Sequence, residues 1–308
     1  MRAAGIQEYN GPVGTIDLPN PRPLADDEVL IEVRAAGVGS WEEFVRTGEW
    51  EIGGTPPMAL GVEAAGVVAL VGTSVEEWKP DDEVLTHPLP LRDQGAWAPW
   101  LIAPASLVAR KPPAVSWEEA GAFPIPALTA GQVIDAALHV GPDDSVLVHG
   151  ASGLTGSLMV SLAAAQGAEV IATSSPAHHD RLSGLGAAQV LDYHDSNWPE
   201  EALASAQGNG VTAAANAVGD GSADAIRAVR DGGRLVTITG DPPDEQRGIA
   251  ISSLIVEPDR QLLQTLANLL GDGKLELPVA AEFDLPDAAE ALGRVQGGSR
   301  GGAVVLLP

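Results

Sequence analysis

Glycines at 150, 153 and 156, in the run His149-Gly150-Ala151-Ser152-Gly153-Leu154-Thr155-Gly156, have the spacing that receives a phosphate. The first permits a tight turn, the second lets backbone amides approach a pyrophosphate, and the third lets a helix lie close against a strand. The context supports that chemistry. Residues 145–149 read as a buried strand and 156–166 as a helix, so a bound anion would sit on the positive end of the helix dipole. The motif therefore points to a dinucleotide. The end of the next strand, 169–173, bears on which one. A carboxylate there holds the ribose hydroxyls of NAD. This chain instead runs Ser174-Ser175-Pro176-Ala177-His178-His179-Asp180-Arg181. Hydroxyls, two histidines and an arginine suit the 2′-phosphate of NADP(H). A solvated Arg181, or its pairing with Asp180, remains the plainer alternative.

Regular elements frame these residues. From 145 onwards strands and helices alternate: strands at 145–149, 169–173, 189–192, 211–218 and 234–239, with helices at 156–166, 177–185, 199–206 and 221–230 between them. Such alternation predicts a parallel, doubly wound α/β sheet. Before it, residues 1–115 are dense in glycine between short Val, Ala and Leu runs, including 29–33, 67–71 and 83–85, which predicts a compact β-barrel. Ser116-Trp117-Glu118-Glu119 has capping-box form and opens a helix. Pro124 and Pro126 interrupt it, and 127–139 reads as a second helix. In the tail, Leu262, Leu263, Leu266, Leu269 and Leu270 share one face of a helix over 258–270. A further helix covers 286–295. The apolar run 303–307 is a strand without a place in the alternation, so the chain is expected to return to the first domain.

Composition sets outer limits. The chain has 308 residues, which favours two domains. It has no cysteine, which excludes disulfides and thiolate-ligated zinc. Net charge is −25, from 17 basic and 42 acidic residues, a field that repels nucleic acid and anionic membranes. Solubility explains the acidity most simply, and a cationic substrate or partner is the alternative. No apolar run reaches membrane-spanning length, and Met1-Arg2-Ala3-Ala4-Gly5 leads into polar residues without signal-peptide form. A cytoplasmic location is expected.

Several ordered motifs resemble the medium-chain dehydrogenase/reductase superfamily, in its zinc-independent quinone oxidoreductase branch. Ala35-Ala36-Gly37-Val38 is similar to the family's turn into its catalytic cleft. Residues 60–68, LGVEAAGVV, are similar to G-x-E-x-x-G-x-V. Asp82-Glu83-Val84 follows GDEV with Asp81 in place of glycine. Gly95-Ala96-Trp97-Ala98, Leu128-Thr129-Ala130, the turn at 149–153 and Asp192-Tyr193 complete the series. The zinc-dependent relatives carry Cys at the cleft turn and His in GHE. Here Gly39 and Ser40 occupy the turn and Val62 replaces the histidine.

What the resemblance implies is specific. The fold would be a Rossmann doubly wound parallel sheet inserted in a GroES-like β-barrel catalytic domain, with residues 1–117 plus 270–308 forming the catalytic domain and 118–269 the nucleotide domain. Ser152, Gly153, Leu154 and Thr155 would line the pyrophosphate. Ser174, Ser175 and His178 or His179 would meet the 2′-phosphate, where relatives often have lysine. Tyr193 would lie at the adenosine side, and Thr129, Val218 and Gly240 along the nicotinamide. Ser40 is the candidate hydrogen-bond donor to an acceptor carbonyl and Trp41 the candidate substrate wall. His87 is a possible proton donor, with a surface-loop histidine as the plainer reading and water as another proton source. The implied activity is metal-free reduction of quinones or α,β-unsaturated carbonyls by NADPH, in a homodimer. An enoyl-thioester reductase and a non-enzymatic NADPH-binding regulator stand as rivals.

Overall fold

A computed structural model of the chain describes residues 1–206, 208–298 and 302–308. The chain divides into two compact units, one made of residues 1–125 with 257–308 and the other of residues 126–256. The second is thus a contiguous insertion in the first.

In the inserted unit six parallel strands form one sheet. Their spatial order is Gln189–Asp192, Glu169–Ser174, Ser145–His149, Val211–Asn216, Val229–Thr237 and Ala250–Ser253. Counted along the chain this is 3-2-1-4-5-6, the order of a doubly wound dinucleotide-binding sheet. The strands are runs of Val, Ile, Leu and Ala because both faces of such a sheet are covered. Leu147, Ile171, Ala214 and Leu235 are fully or almost fully buried in a cluster that also holds Trp198 and Val229. Each large apolar side chain so buried contributes about 1.5–3 kcal/mol.

Where the sequence alternates clearly, elements lie where expected; where glycine or short runs intervene, they do not. The helix expected over 221–230 is one α-turn, Ser222–Ala225, and one tighter turn, Ile226–Ala228, before the strand begins at Val229. The helix expected over 127–139 starts earlier, at Pro124, where the missing N–H costs nothing. It widens to a π-helix over Gln132–Ala137.

The first unit holds two sheets, which accounts for its dense glycine. The larger runs Val279–Asp284, Ala303–Leu307, Glu28–Val38, Ala64–Val71, Glu83–Thr86 and Val108–Arg110, with Trp100–Pro104 also pairing with Glu28–Val38. The smaller joins Gly14–Asp17, Arg2–Ile6 and Met58–Ala59. Residues 303–307 return to this unit as expected, antiparallel to Glu28–Val38 and parallel to Val279–Asp284. The capping box is formed: Glu119 N–H donates to Ser116 Oγ at 3.1 Å, and Ser116 N–H to Glu119 Oε2 at 2.9 Å. The leucine face of Arg260–Gly271 buries Leu263, Leu266 and Leu270. The sequence expectation set the domain boundaries at 117/118 and 269/270. In the structure, helices Trp117–Gly121 and Arg260–Gly271 pack with strands of the first unit. Among the described residues no helix is long and apolar enough to cross a membrane.

Candidate functional site

The glycine turn links Ser145–His149 to the helix Leu154–Ala165. Gly150 has φ +83°, a left-handed conformation open to glycine at little cost. A Cβ on Gly156 would press into the backbone of Gly150 and Ala151. Gly153 is the N-cap and uses no side-chain cap, so the amides of Leu154, Thr155 and Gly156 lie beyond any intrahelical acceptor. That is an anion cradle of backbone N–H groups on a helix N-terminus. Ser152, Leu154 and Thr155 are half-buried around it and Gly153 is exposed.

One residue that the sequence did not single out holds the turn in place. Thr173 Oγ1 accepts the Gly150 N–H at 3.1 Å and pairs with His149 Nδ1 at 2.7 Å, while its carbonyl accepts the Ala151 N–H at 3.1 Å. His149 stacks on Trp198 at 4.6 Å. Burial lowers its pKa to about 4, so the ring is neutral.

Beyond the next strand, Ser174 is buried, and its hydroxyl donates to the Ser175 carbonyl at 3.0 Å. Ser175, His178, His179 and Arg181 follow, each half-buried. His179 Nε2 is a buried nitrogen without a hydrogen-bond partner. Ser174 sits opposite Asp192 in the strand pairing. Next to Asp192, Tyr193 is exposed and lies on the His194 ring at 4.2 Å, so it is not the core-edge residue that tyrosine commonly is.

Beside the glycine turn, at the same end of the parallel sheet, the ends of Val211–Asn216 and Val229–Thr237 are joined by a polar network. Asn216 accepts the Val218 N–H at 3.2 Å and donates to the Val218 carbonyl at 2.9 Å. The Asp241 carboxylate accepts from the hydroxyls of Thr237 at 2.7 Å, Thr239 at 2.5 Å and Ser222 at 3.1 Å. Burial opposes ionisation of Asp241, yet these hydroxyls and the Ser222 N–H outweigh it and bring the pKa to about 2. The network fixes Val218 and flanks Gly240, which has φ +74° and open space around it. Thr129, also expected near the nicotinamide, is buried in Pro124–Gly131.

In the first unit Ser40 is exposed at the start of the helix Trp41–Thr47, and Trp41 packs its indole against Gly39. His87 is no surface-loop histidine: it is 1% exposed, and burial holds its pKa at about 4. A ring that is neutral at pH 7 and bonded through Nδ1 to the Val62 carbonyl has no proton to give from its free Nε2.

Residues 25–113 match the family model described as an alcohol dehydrogenase GroES-like domain, and residues 185–306 one described as a zinc-binding dehydrogenase. Erythronolide synthase EryA2 of Saccharopolyspora erythraea is 32% identical over 98% of the chain, which spans only 9% of that far longer protein. The trans-enoyl reductase tazE of Aspergillus terreus is 32% identical over 68% of the chain and 74% of its own length. The quinone oxidoreductase of Pongo abelii is 26% identical, covering 100% of the chain and 98% of its own length. Among solved structures, an NAD-dependent alcohol dehydrogenase superposes with a TM-score of 0.89 at 28% identity, over the whole of both chains. The quinone oxidoreductase from Coxiella burnetii superposes at 0.86 and 25% identity, covering 100% of this chain and 99% of its own. The zinc of the second model's description finds no donor set here. The chain has no cysteine, and among the described residues no group of three or more His, Cys, Asp or Glu side chains is placed to hold a metal.

Proposed function

The chain belongs to the medium-chain dehydrogenase/reductase superfamily, in its quinone oxidoreductase branch, and from that premise we propose that it reduces quinones or α,β-unsaturated carbonyls with NADPH. It is an oxidoreductase with a nicotinamide cofactor; the phosphorylated form and the acceptor are our reading. The observation that supports the reading is the strand end at 173–175, which carries hydroxyls and no carboxylate and is followed by His178, His179 and Arg181, with Asp180 lying further on.

In this reading the amides of Leu154, Thr155 and Gly156, with Ser152, Gly153 and Thr155 lining the turn, bind the pyrophosphate. Ser174, Ser175, His178, His179 and Arg181 surround the 2′-phosphate, and the His179 nitrogen left without a partner has a ready acceptor there. Tyr193 covers the adenosine side. Thr129, Val218 and Gly240 would orient the nicotinamide, which when bound would supply hydride to an electron-poor carbon or quinone oxygen. Ser40 donates a hydrogen bond to the acceptor carbonyl and Trp41 forms a wall of its pocket. With no cysteine in the chain and, among the described residues, no group of three or more His, Asp or Glu placed for a metal, the reading assigns no step to a Lewis acid, which suits acceptors that are already electrophilic. We also propose a homodimer and a cytoplasmic location.

Enoyl-thioester reduction is the second reading, favoured by the 32% identity to EryA2 and tazE. A charge of −25 disfavours long contacts with an anionic carrier. NADPH oxidation on 9,10-phenanthrenequinone, cyclohexenone and crotonyl-CoA, measured side by side, separates the two. Preference for crotonyl-CoA would replace the first reading with the second. Tight NADPH binding with no turnover on any acceptor would leave a cofactor-binding regulator.

A further inference from the structure

Within the inserted unit, residues 217–221 link the strand Val211–Asn216 to the turn that begins at Ser222. The segment Ala217-Val218-Gly219-Asp220-Gly221 has little stiffness of its own. It holds two glycines, and Asp220 takes the left-handed conformation, with φ +60°. Yet both of its ends are clamped. At the near end Asn216 accepts the Val218 N–H at 3.2 Å and donates to the Val218 carbonyl at 2.9 Å. At the far end the Asp241 carboxylate accepts the Ser222 N–H at 3.2 Å and the Ser222 hydroxyl at 3.1 Å. Asn216 also donates to the Ser222 hydroxyl oxygen at 2.9 Å, which joins the two clamps. Thr237 and Thr239 donate their hydroxyls to the carboxylate and fix it in turn. Asn216, Ser222 and Thr237 are fully buried, and Asp241 is half-buried. Burying these groups costs desolvation that an apolar cluster would not. What a fully satisfied network returns is one fixed arrangement of the segment it holds. Under that segment lies the phosphate turn. A Cβ on Gly150 would come within 2.6 Å of Val218 Cγ2, and one on Gly221 within 2.8 Å of the His149 ring. Val218 therefore rests on the first glycine of the turn, and Gly221 on the residue before it.

We propose that Asp241 is a positioning residue for the nicotinamide half of the cofactor, acting through Ser222 and Asn216 on Val218 and leaving the phosphate half to the glycine turn. The proposal rests on the reading above that places Val218 and Gly240 along the nicotinamide. Gly240 precedes Asp241 and has open space around it, so its path is set by what holds its neighbours. Thr239 is held by its hydroxyl on the carboxylate at 2.5 Å, and Asp241 by the Ser222 and Thr237 bonds. One carboxylate thus anchors both segments, 217–221 through Ser222 and 239–240 through Thr239. The glycine turn has separate support from Thr173, which accepts the Gly150 N–H. Loss of the Asp241 carboxylate should therefore free the seat of the ring while the phosphate cradle keeps its shape.

The test compares wild type with Asp241→Ala and with Thr239→Val, which removes one donor from an exposed residue. Calorimetry reads the affinity for NADPH and for 2′-phospho-ADP-ribose, which keeps both phosphate groups and lacks only the ring. Asp241→Ala should weaken NADPH about ten- to hundredfold, the worth of hydrogen bonds to a charged group, and leave 2′-phospho-ADP-ribose unchanged. Thr239→Val should do the same on a smaller scale, about two- to tenfold. A merely structural role would weaken both ligands together. Equal weakening of the two, or no weakening of NADPH, overturns the proposal. Amide hydrogen exchange in wild type without ligand carries the test even if Asp241→Ala does not fold. The Val218 and Ser222 N–H groups should exchange slowly, and fast exchange at both overturns the clamp. A wild type that binds NADPH no better than 2′-phospho-ADP-ribose instead overturns the placing of the nicotinamide at Val218 and Gly240, and the positioning role with it.

Discussion

Alanine at two glycines of the phosphate turn should have opposite signatures, because the two positions are crowded by different things. At Gly156 an added Cβ would lie 2.9 Å from Ala151 Cα and 3.0 Å from Gly150 C, besides striking the Gly150 carbonyl oxygen. Ordinary carbon–carbon contacts lie at about 3.5–4.0 Å, so the helix or the turn must retreat by about half an ångström or more. Every atom in the way is backbone, and no rotamer change relieves it. We expect Gly156→Ala to cost about 1–3 kcal/mol of stability, as overpacking does. Since each 1.4 kcal/mol is tenfold, a displaced cradle should weaken NADPH about ten- to hundredfold. At Gly153 the nearest atom to an added Cβ is the Gly150 carbonyl oxygen at 3.5 Å, and φ is −71°. Alanine fits there without strain. If a pyrophosphate approaches that backbone, Gly153→Ala should melt like wild type yet bind NADPH at least tenfold more weakly. Thermal melts without ligand and fluorescence titration with NADPH read the two effects. A Gly153→Ala protein that binds NADPH normally would refute the placing of the pyrophosphate, and an unshifted melt for Gly156→Ala would refute the helix packing.

Ser175→Asp places a negative charge where the 2′-phosphate is proposed. Like-charge repulsion at about 4 Å near a surface is worth a few kcal/mol before screening, so the NADPH:NADH affinity ratio should drop at least tenfold; an unchanged ratio puts the 2′-phosphate elsewhere. Arg22→Ala removes the partner of Glu28, which is 1% exposed and bonded to the guanidinium at 2.7 and 2.8 Å. Those bonds, opposed by burial and helped by the Ala25 N–H, hold the Glu28 carboxyl below its usual range. A depressed carboxylate stabilises the fold above its unfolded pKa of about 4.3 and loses that contribution as pH falls through the lower folded value. Allowing for the part-exposed arginine, urea melts should show a loss of about 1–3 kcal/mol at pH 7 that shrinks below pH 4; a pH-independent loss would contradict this account.

Legibility followed the strength of local pattern. The strands from 145 to 237 were readable because a sheet buried on both faces needs unbroken apolar runs, and the turn at 150–156 because tight backbone geometry admits few side chains. The last helix before Val229 was overextended, since Ser222-Ala-Asp-Ala has helical composition and nothing local shows that the strand must start so soon. Met58–Ala59 is too short to carry any period. The burial of Glu42 was illegible for a deeper reason. A charged residue in a helix reads as solvent-facing, and only the Gly61-Val62 segment, brought against it from 19 positions away, shows that it is sealed. His87 misled in the same way. The hydroxyl of Thr173 looked like ordinary strand content until the strand order put it beside the Gly150 amide.

The division of the chain has a consequence for its biogenesis. The strand Ala303–Leu307 lies one place in from an edge of the larger sheet, between Glu28–Val38 and Val279–Asp284, and a ribosome makes it after the whole of 126–256. The inserted unit is continuous and can close as soon as it emerges. The outer unit must wait with the flank of Glu28–Val38 open, an unpaired edge able to recruit a strand from another nascent chain. Expression at high temperature or high synthesis rate should therefore lose the outer unit first, giving aggregates that still contain a natively folded inserted sheet.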